Sequence, residues 1–389
     1  MAAAPASGGA TQDVARTSTE PADRDHDGLS DHAELGATAV RQPTLAPLTT
    51  ALARRTSRPV RLLFLGSSTT YGVGASSPSS RYVDQVVSTL QRVFPSVADD
   101  NGPVRDLQRS TDRPDSTPGV QGINGGVGGS TAATYFTDSH EYGVGVVQPS
   151  CVVHMIGSND AVARVPVPAF RDHVAAVIRR IDAASDRPPC HLLLQPVRRV
   201  GVDRETWRTY GAALQQVAQA RARVTFVDVG AEFEAHDALG ADPDQLIGPD
   251  DVHLTDAGHA LLAATLLRSL GLTRRGLGTG TDPRRVDTDR DGIPDKRELR
   301  SHVVLLRLVP CTGPVIHRLR TRTLPYESDT DGDGISDRRE LLGYRLADGR
   351  VVRSDPASSD SDGDDADDGR EWLSPHGDPV TCRGRRPTG

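Results

Sequence analysis

The chain has 389 residues, an aromatic content of 4% and a formal net charge of −7 at pH 7. This length accommodates one full-sized domain and a second, smaller one. No apolar run reaches about eighteen residues, so the sequence predicts no transmembrane helix, and no basic stretch interleaves with aromatic residues, which argues against a nucleic-acid partner. Four short clusters hold 22 of the 52 acidic residues, which indicates local cation binding.

The first 22 residues are small and polar, with neither a charged start nor the apolar segment of a signal peptide. We therefore predict a disordered tail over 1–22 and not an intact secretion signal. The first acidic cluster lies in the next segment, 23–45.

Residues 59–272 alternate short apolar runs with amphipathic stretches, the pattern of a parallel β-sheet covered by helices. The predicted strands are 61–66, 120–124, 151–156, 190–195 and 224–229. The predicted helices are 81–93, 168–184, 204–221 and 255–270. The pattern predicts an α/β domain with a five-stranded parallel sheet, whose chemistry lies at the carboxyl ends of the strands. The polar stretch 97–119 is predicted to be a flexible flap.

A Gly-rich linker over 273–282 separates this domain from an irregular, acidic region over 283–389. The four cysteines divide evenly between the two regions: Cys151, Cys190, Cys311 and Cys382. Two intradomain disulfides in an oxidising compartment and four reduced thiols both fit this distribution, and three pairings are formally open.

Polar and Gly-rich segments follow the predicted strands. They read GSSTT (66–70), NGGVGGST (124–131) and GSND (157–160), and PDDVHLTDAGH (249–259) comes just before the last predicted helix. Each segment alone fits a turn or a helix cap. Together they supply a hydroxyl nucleophile, a histidine base, an orienting carboxylate and N–H donors for an oxyanion, which are the groups that ester hydrolysis requires.

These four segments, in this order, resemble those of the SGNH or GDSL hydrolases, a family of esterases and lipases. The resemblance covers about residues 61–272 and implies a flavodoxin-like three-layer α/β/α sandwich. It implies Ser68 as nucleophile with Asp250 and His253 completing the triad. It also implies an oxyanion hole formed by the Ser68 N–H, the Gly129 N–H and the Asn159 side chain.

The sequence departs from the family pattern at Ser67, which replaces the usual aspartate and leaves two adjacent serines as candidates. We prefer Ser68 because Thr70 then matches the later hydroxyl position of the family. Asp250 is preferred to Asp251 because it has the family's Asp-x-x-His spacing. Packing roles are expected for four further residues: His154, His259, Trp207 and Trp372.

Four acidic segments place carboxylates at positions 1, 3, 5, 9 and 12 of a twelve-residue loop: 23–34, 287–298, 329–340 and 360–371. This spacing suits Ca²⁺, which prefers six to eight oxygen ligands in a flexible shell. The predicted ligands are Asp23, Asp25, Asp27, Asp31, Glu34, Asp287, Asp289, Asp291, Asp295, Glu298, Asp329, Asp331, Asp333, Asp337, Glu340, Asp360, Asp362, Asp364, Asp368 and Glu371. The fourth loop has Asp365 where the turn favours glycine, so we expect three to four structural calcium ions.

Prolines and glycines, and not the helices of an EF-hand, precede these loops, which resemble the calcium-binding thrombospondin type 3 repeats of extracellular proteins. The resemblance implies an exported protein, extracellular or associated with the cell surface. Because the termini of a domain often lie close together, we expect loop 23–34 to pack against the C-terminal loops and clamp the hydrolase domain.

The sequence as a whole predicts a serine esterase, stabilised by calcium, that forms an acyl-enzyme on a small-molecule, lipid or acylated polysaccharide ester. The alternative is a calcium-dependent adhesion or scaffold protein whose hydrolase domain has lost catalysis. Substitution of the usual aspartate by Ser67 keeps this alternative open.

Overall fold

The computed structural model describes residues 22–96, 102–112, 115–238 and 246–382. The central sheet consists of β1 (Pro59–Gly66), β2 (Arg105–Asp106), β3 (Gly119–Gly126), β4 (Cys151–Met155), β5 (Cys190–Gln195) and β6 (Val224–Asp228). All neighbours pair in parallel, in the order β2-β3-β1-β4-β5-β6. The predicted α/β class with a parallel sheet is confirmed.

The sheet has six strands, and the predicted number of five was wrong. The sixth strand is β2, which lies inside the stretch 97–119 that we expected to be a flap. Both of its residues are exposed, and it pairs only with β3 at the edge of the sheet. A two-residue exposed edge strand needs no apolar run, so hydrophobic patterning could not reveal it.

Helices cover both faces of the sheet. In chain order the helices are α1 (Asp31–Arg41), α2 (Ala46–Ala53), α3 (Ser68–Tyr71), α4 (Tyr82–Val93), α5 (Leu107–Asp112), α6 (Asp138–Val147), α7 (Ser158–Val162), α8 (Val167–Ala184), α9 (Arg204–Gln219), α10 (Val229–Ala238), α11 (Asp256–Leu270), α12 (Asp295–Glu298), α13 (Asp337–Leu342) and α14 (Asp368–Trp372). Among these described helices, none combines the length and apolarity needed to cross a membrane.

Strand β1 shows why the sheet is buried on both sides. Leu62 and Phe64 belong to a core shared with α2, α4 and α11, whereas Leu63 and Leu65 belong to a second core shared with α6, α8 and α9. Successive strand side chains point to opposite faces. A strand covered on both faces therefore reads as a continuous apolar run, which is how β1 appears in the sequence.

The C-terminal region contains two antiparallel ribbons. Strands β7 (His302–Leu308) and β8 (Ile316–Thr321) form one, and β9 (Tyr344–Arg345) and β10 (Val351–Val352) form the other. Alternate residues of β7 are buried, and they contribute to a small separate core. This region is therefore more regular than the irregular loops that we expected.

Two disulfides link the four cysteines, each within one region: Cys151 with Cys190 and Cys311 with Cys382. The first joins residues that face each other at the start of β4 and β5.

The N-terminal loop 23–34 packs against the beginning of the C-terminal region. The backbone N–H groups of Thr279 and Gly280 donate to the carbonyls of Ala33 and Glu34, each at 3.0 Å. Lys296 Nζ donates to the Gly28 carbonyl at 3.0 Å. The N-terminal loop thus meets the linker and the first acidic loop of the C-terminal region.

Candidate active site

The first strand of the sheet delivers Ser68 to the carboxyl edge through a tight turn. A Cβ atom at Gly66 would lie 2.3 Å from Thr70 Oγ1 and 2.5 Å from the Met155 carbonyl oxygen, so only glycine fits where β1 ends. The chain then enters α3, whose first residue is Ser68. Thr70 Oγ1 lies 3.0 Å from the Tyr82 hydroxyl, which fixes the turn to α4.

Two short contacts join Ser68, His253 and Asp250. His253 Nε2 lies 2.9 Å from Ser68 Oγ, and His253 Nδ1 lies 2.6 Å from Asp250 Oδ2. Of the two adjacent serines, it is Ser68 that contacts the imidazole, while Ser67 is only 8% exposed. Of the two adjacent aspartates, Asp250 makes the contact, and Asp251 has a left-handed backbone with φ of 56°.

The loop around Asp250 holds its carboxylate in the ionised form. Asp250 Oδ1 accepts backbone hydrogen bonds from His253 at 2.9 Å and from Val252 at 3.0 Å. The bonds from the His253 backbone and imidazole, followed by the bond from Val252, lower the pKa of Asp250 far below its usual range. The carboxylate is therefore negative at neutral pH, and it can orient the imidazole and stabilise its charged form.

The predicted oxyanion donors come from the next two strand ends. Gly129 lies in the exposed loop after β3 with φ of 73°, a conformation that favours glycine. Asn159 lies in α7, and its Nδ2 donates to the Ser130 carbonyl at 2.8 Å. This bond connects the loop after β3 to the helix after β4 and uses one of the two N–H groups of the amide.

Asp160 strengthens the same connection, a role that the sequence analysis did not predict. The side chain is fully buried, and both carboxylate oxygens accept from the Ala132 backbone N–H at 3.0 Å. Burial raises the pKa of Asp160, and the bond from Ala132 opposes that shift. Its position directly after Asn159 was the only available signal in the sequence.

The histidines expected to have packing roles lie in the interior. His259 Nδ1 accepts from the Tyr82 backbone N–H at 3.3 Å, and burial lowers its pKa. His154 lies between the Tyr135 hydroxyl and His191, each at 3.0 Å. Trp207 is buried in the core of the hydrolase domain, and the Trp372 indole N–H donates to the Arg345 carbonyl at 3.1 Å.

The acidic loops bring carboxylates together in two kinds of groups. Positions 1, 3 and 5 converge within three loops, each group having one oxygen per residue within 4.8 Å of the others: Asp23, Asp25 and Asp27; Asp287, Asp289 and Asp291; Asp329, Asp331 and Asp333. The second kind of group joins consecutive loops. Asp291 and Glu298, at positions 5 and 12 of the second loop, lie close to Asp337 at position 9 of the third loop. Asp333 and Glu340 of the third loop lie close to Asp368 of the fourth loop in the same way.

The carboxylate at position 9 is also bound within its own loop. Asp295 and Asp337 each accept from the backbone and hydroxyl of the threonine at position 2, and Asp368 does the same with Ser361. Asp31 instead pairs with Arg24 at 3.0 Å. In the fourth loop Asp365 has φ of 72°, the left-handed conformation that the sequence suggested.

The donor set of these loops fits a hard divalent cation. Within the described part of the chain, several buried carboxylate oxygens have no hydrogen-bond partner: Asp23 Oδ1, Asp25 Oδ2, Asp27 Oδ2, Glu34 Oε2, Asp289 Oδ2, Glu298 Oε2, Asp331 Oδ2, Glu340 Oε2, both Asp362 oxygens and Glu371 Oε2. Burial, together with neighbouring carboxylates, raises the pKa of Glu298 to about 9 and that of Glu340 to about 10. Buried oxygens of this kind are costly unless a cation compensates them.

Comparisons with known proteins identify the family of the α/β domain. Residues 64–261 match the family described as "GDSL-like Lipase/Acylhydrolase family". No curated protein matches the sequence. Among solved structures, the acetylxylan esterase Axe2 from Geobacillus stearothermophilus is similar, with 24% identity and a TM-score of 0.41 over 55% of this chain and 94% of that chain. A two-domain esterase (CEX) active on acetylated mannans has 18% identity and a TM-score of 0.42 over 75% of this chain and 71% of that chain.

Proposed function

Because the chain belongs to the GDSL-like lipase/acylhydrolase family and is a carboxylic ester hydrolase, we propose that Ser68, His253 and Asp250 form its catalytic triad. The observation that carries the proposal is the pair of contacts at 2.9 Å and 2.6 Å that links Ser68 to His253 and His253 to Asp250. Ser68 and His253 are 185 residues apart in the sequence, so this proximity is a product of the fold.

In the proposed reaction, His253 Nε2 takes the proton of the Ser68 hydroxyl as its oxygen attacks the ester carbonyl. Asp250 accepts from His253 Nδ1 and stabilises the imidazolium. The imidazolium then protonates the leaving alcohol, which leaves an acyl group on Ser68. A water activated by His253 hydrolyses this acyl-enzyme and restores the serine.

The oxyanion of each tetrahedral intermediate would be bound by three N–H groups, from the Ser68 backbone, the Gly129 backbone and the Asn159 amide. Donors fixed before the reaction stabilise developing charge without reorganising. The bond from Asn159 to Ser130 and the bonds from Ala132 to Asp160 support this arrangement, because they hold the loop of Gly129 against α7.

The proposal includes calcium as a structural component, with three to four ions bound by the carboxylates of the four acidic loops. The unpartnered buried oxygens of Glu34 and Glu298 support it. The ions would stabilise the contact between loop 23–34 and the C-terminal loops, and none of the proposed ligands belongs to the triad. The resemblance to thrombospondin type 3 repeats remains part of this proposal.

We place the protein outside the cell or at its surface, where calcium is abundant and disulfides persist. The bridges between Cys151 and Cys190 and between Cys311 and Cys382 favour this location. The substrate is proposed to be an ester of a small molecule, a lipid or an acylated polysaccharide.

Labelling with a fluorophosphonate, followed by peptide mapping, tests the proposed mechanism. An activated serine reacts covalently, so the label should map to Ser68 and be lost in His253→Ala. A folded protein that does not react would instead support the adhesion or scaffold alternative.

A further inference from the structure

A small cavity opens beside the proposed nucleophile. It measures about 20 Å³, and Ser68 forms part of its wall. On this measure a cavity needs roughly 10–15 Å³ to hold one water-sized group. The space next to Ser68 therefore accommodates about one group of the size of a water molecule or a methyl.

Part of the lining of this cavity belongs to the hydrophobic core, and the rest includes Ser67, Thr69, Ser158 and Arg199. Met155, Val229, Leu254 and Leu262 line it, and all four are at most 3% exposed and lie in the core between the sheet and α11. Close-packed cores enlarge only at the expense of neighbouring contacts. These core residues therefore form a rigid wall that does not adapt to a longer acyl chain.

The position of the cavity relates it to the acyl side of the reaction. The acyl group becomes bonded to Ser68 Oγ, so its first carbons must occupy space that adjoins this oxygen. A separate open hollow of about 640 Å³ is lined by His253 and Asp250, next to the imidazole that would protonate the leaving alcohol. Leu254 lines both spaces.

From this geometry we infer that the cavity walled by Leu262 and Val197 is an acyl-binding site that accepts acetyl and excludes longer acyl groups. The inference rests on the proposed function of Ser68. It assigns the substrate class as acetyl esters, with Leu262 and Val197 as specificity-determining residues. The methyl of the acetyl group fills the cavity, and a butanoyl chain would have to displace core side chains.

The experiment measures kcat/KM for p-nitrophenyl acetate, butyrate, hexanoate and octanoate with the full-length protein. A methylene that does not fit a hydrophobic pocket changes kcat/KM by about 10- to 200-fold. We expect the wild type to prefer acetate over butyrate by at least about tenfold, and Leu262→Ala to raise the ratio of butyrate to acetate by about tenfold or more.

Leu266→Ala is the matched control, since Leu266 is equally buried on α11 and in the same core but is not among the residues that line the cavity. Leu266→Ala should keep the wild-type ratio of kcat/KM for butyrate to that for acetate. Val197→Ala is a second test that does not depend on Leu262→Ala folding, because Val197 is only partly buried. It should also raise the ratio.

The outcomes separate this inference from the proposed function. Equal rates for acetate and octanoate in the wild type, or unchanged ratios in both Leu262→Ala and Val197→Ala, would overturn the acyl-site assignment while leaving Ser68 as nucleophile. No hydrolysis of any of the four esters by folded protein, without fluorophosphonate labelling, would overturn the proposed function itself.

Discussion

Removal of the Asp160 carboxylate should impair catalysis without touching the triad. Asp160 is fully buried and binds the Ala132 backbone N–H with both oxygens at 3.0 Å. Asp160→Ala deletes a hydrogen bond to a charged group, worth about 1.5–3 kcal/mol, and leaves a buried N–H without its partner. The raised pKa of Asp160 indicates that burial of its charge offsets part of the stability that this hydrogen bond provides. We therefore expect Asp160→Ala to lower the free energy of unfolding by about 2–3 kcal/mol.

The expected effect on kcat follows from the position of the loop after β3, which carries Gly129. Without the bond to Asp160, the segment that carries Gly129 is held to α7 chiefly by the bond from Asn159 to Ser130. Loss or displacement of one oxyanion donor costs about 10²- to 10³-fold in kcat. We therefore expect Asp160→Ala to lower kcat for p-nitrophenyl acetate by about 10²-fold with little change in KM.

Steady-state kinetics, thermal unfolding and fluorophosphonate labelling measured on the same samples provide the assay. Asp160→Asn retains one oxygen acceptor, so it should lose less in both kcat and stability than Asp160→Ala. Labelling at Ser68 should persist in both variants, because the contacts of His253 are intact. A variant that loses the expected stability but keeps full kcat would show that Asp160 is only a structural brace and would refute the reasoning about the oxyanion loop.

Three further predictions concern stability. Chelation with EDTA should lower Tm, since a ligand at 100 times its Kd stabilises by about 2.7 kcal/mol, and an unchanged Tm would contradict structural calcium. Gly278→Ala should lower Tm, because its Cβ would lie 2.0 Å from the Glu34 carbonyl oxygen. The control Gly145→Ala should not, because the nearest atom to its Cβ is 3.7 Å away. Equal Tm values for the two variants would contradict the predicted clamp between loop 23–34 and the C-terminal region. Burial holds the pKa of His154 well below its usual range and lowers the pKa of His191. The stability from these neutral histidines is therefore present above about pH 6.5 and lost on acidification, at up to about 1.4 kcal/mol per pH unit for each. Between pH 7 and pH 5, the free energy of unfolding should fall less in His154→Gln than in the wild type.

The sequence was most informative where burial is complete. Strands β4 and β5 begin and end within one residue of the predicted 151–156 and 190–195, because a strand covered on both faces is largely apolar along its length. The exposed edge strand β2 leaves no such pattern. The position of Ser68 at a strand end could likewise be predicted, because the carboxyl ends of parallel strands share one edge. His253 instead lies just before α11, and its role came from the family resemblance.

Tertiary contacts between distant segments could not be predicted in the same way. The sequence assigned the carboxylates at position 9 to their own loops, yet Asp337 and Asp368 also face the preceding loop. Which loops stack on one another depends on the ribbons between them, and spacing within a loop does not reveal it. Asp160 was missed for a similar reason, since its partner Ala132 lies on a different loop.

The most direct test of the account is the hydrolysis of p-nitrophenyl acetate by Ser68→Ala beside Ser67→Ala. Ser67 adjoins the nucleophile but makes no side-chain capping bond to α3, so its substitution should keep kcat within about tenfold of the wild type. Ser68→Ala should lose at least about 10⁴-fold in kcat with an unchanged Tm, because the remaining groups of a triad cannot act without the nucleophile. Full activity in Ser68→Ala, or its loss in Ser67→Ala alone, would contradict the assignment of Ser68.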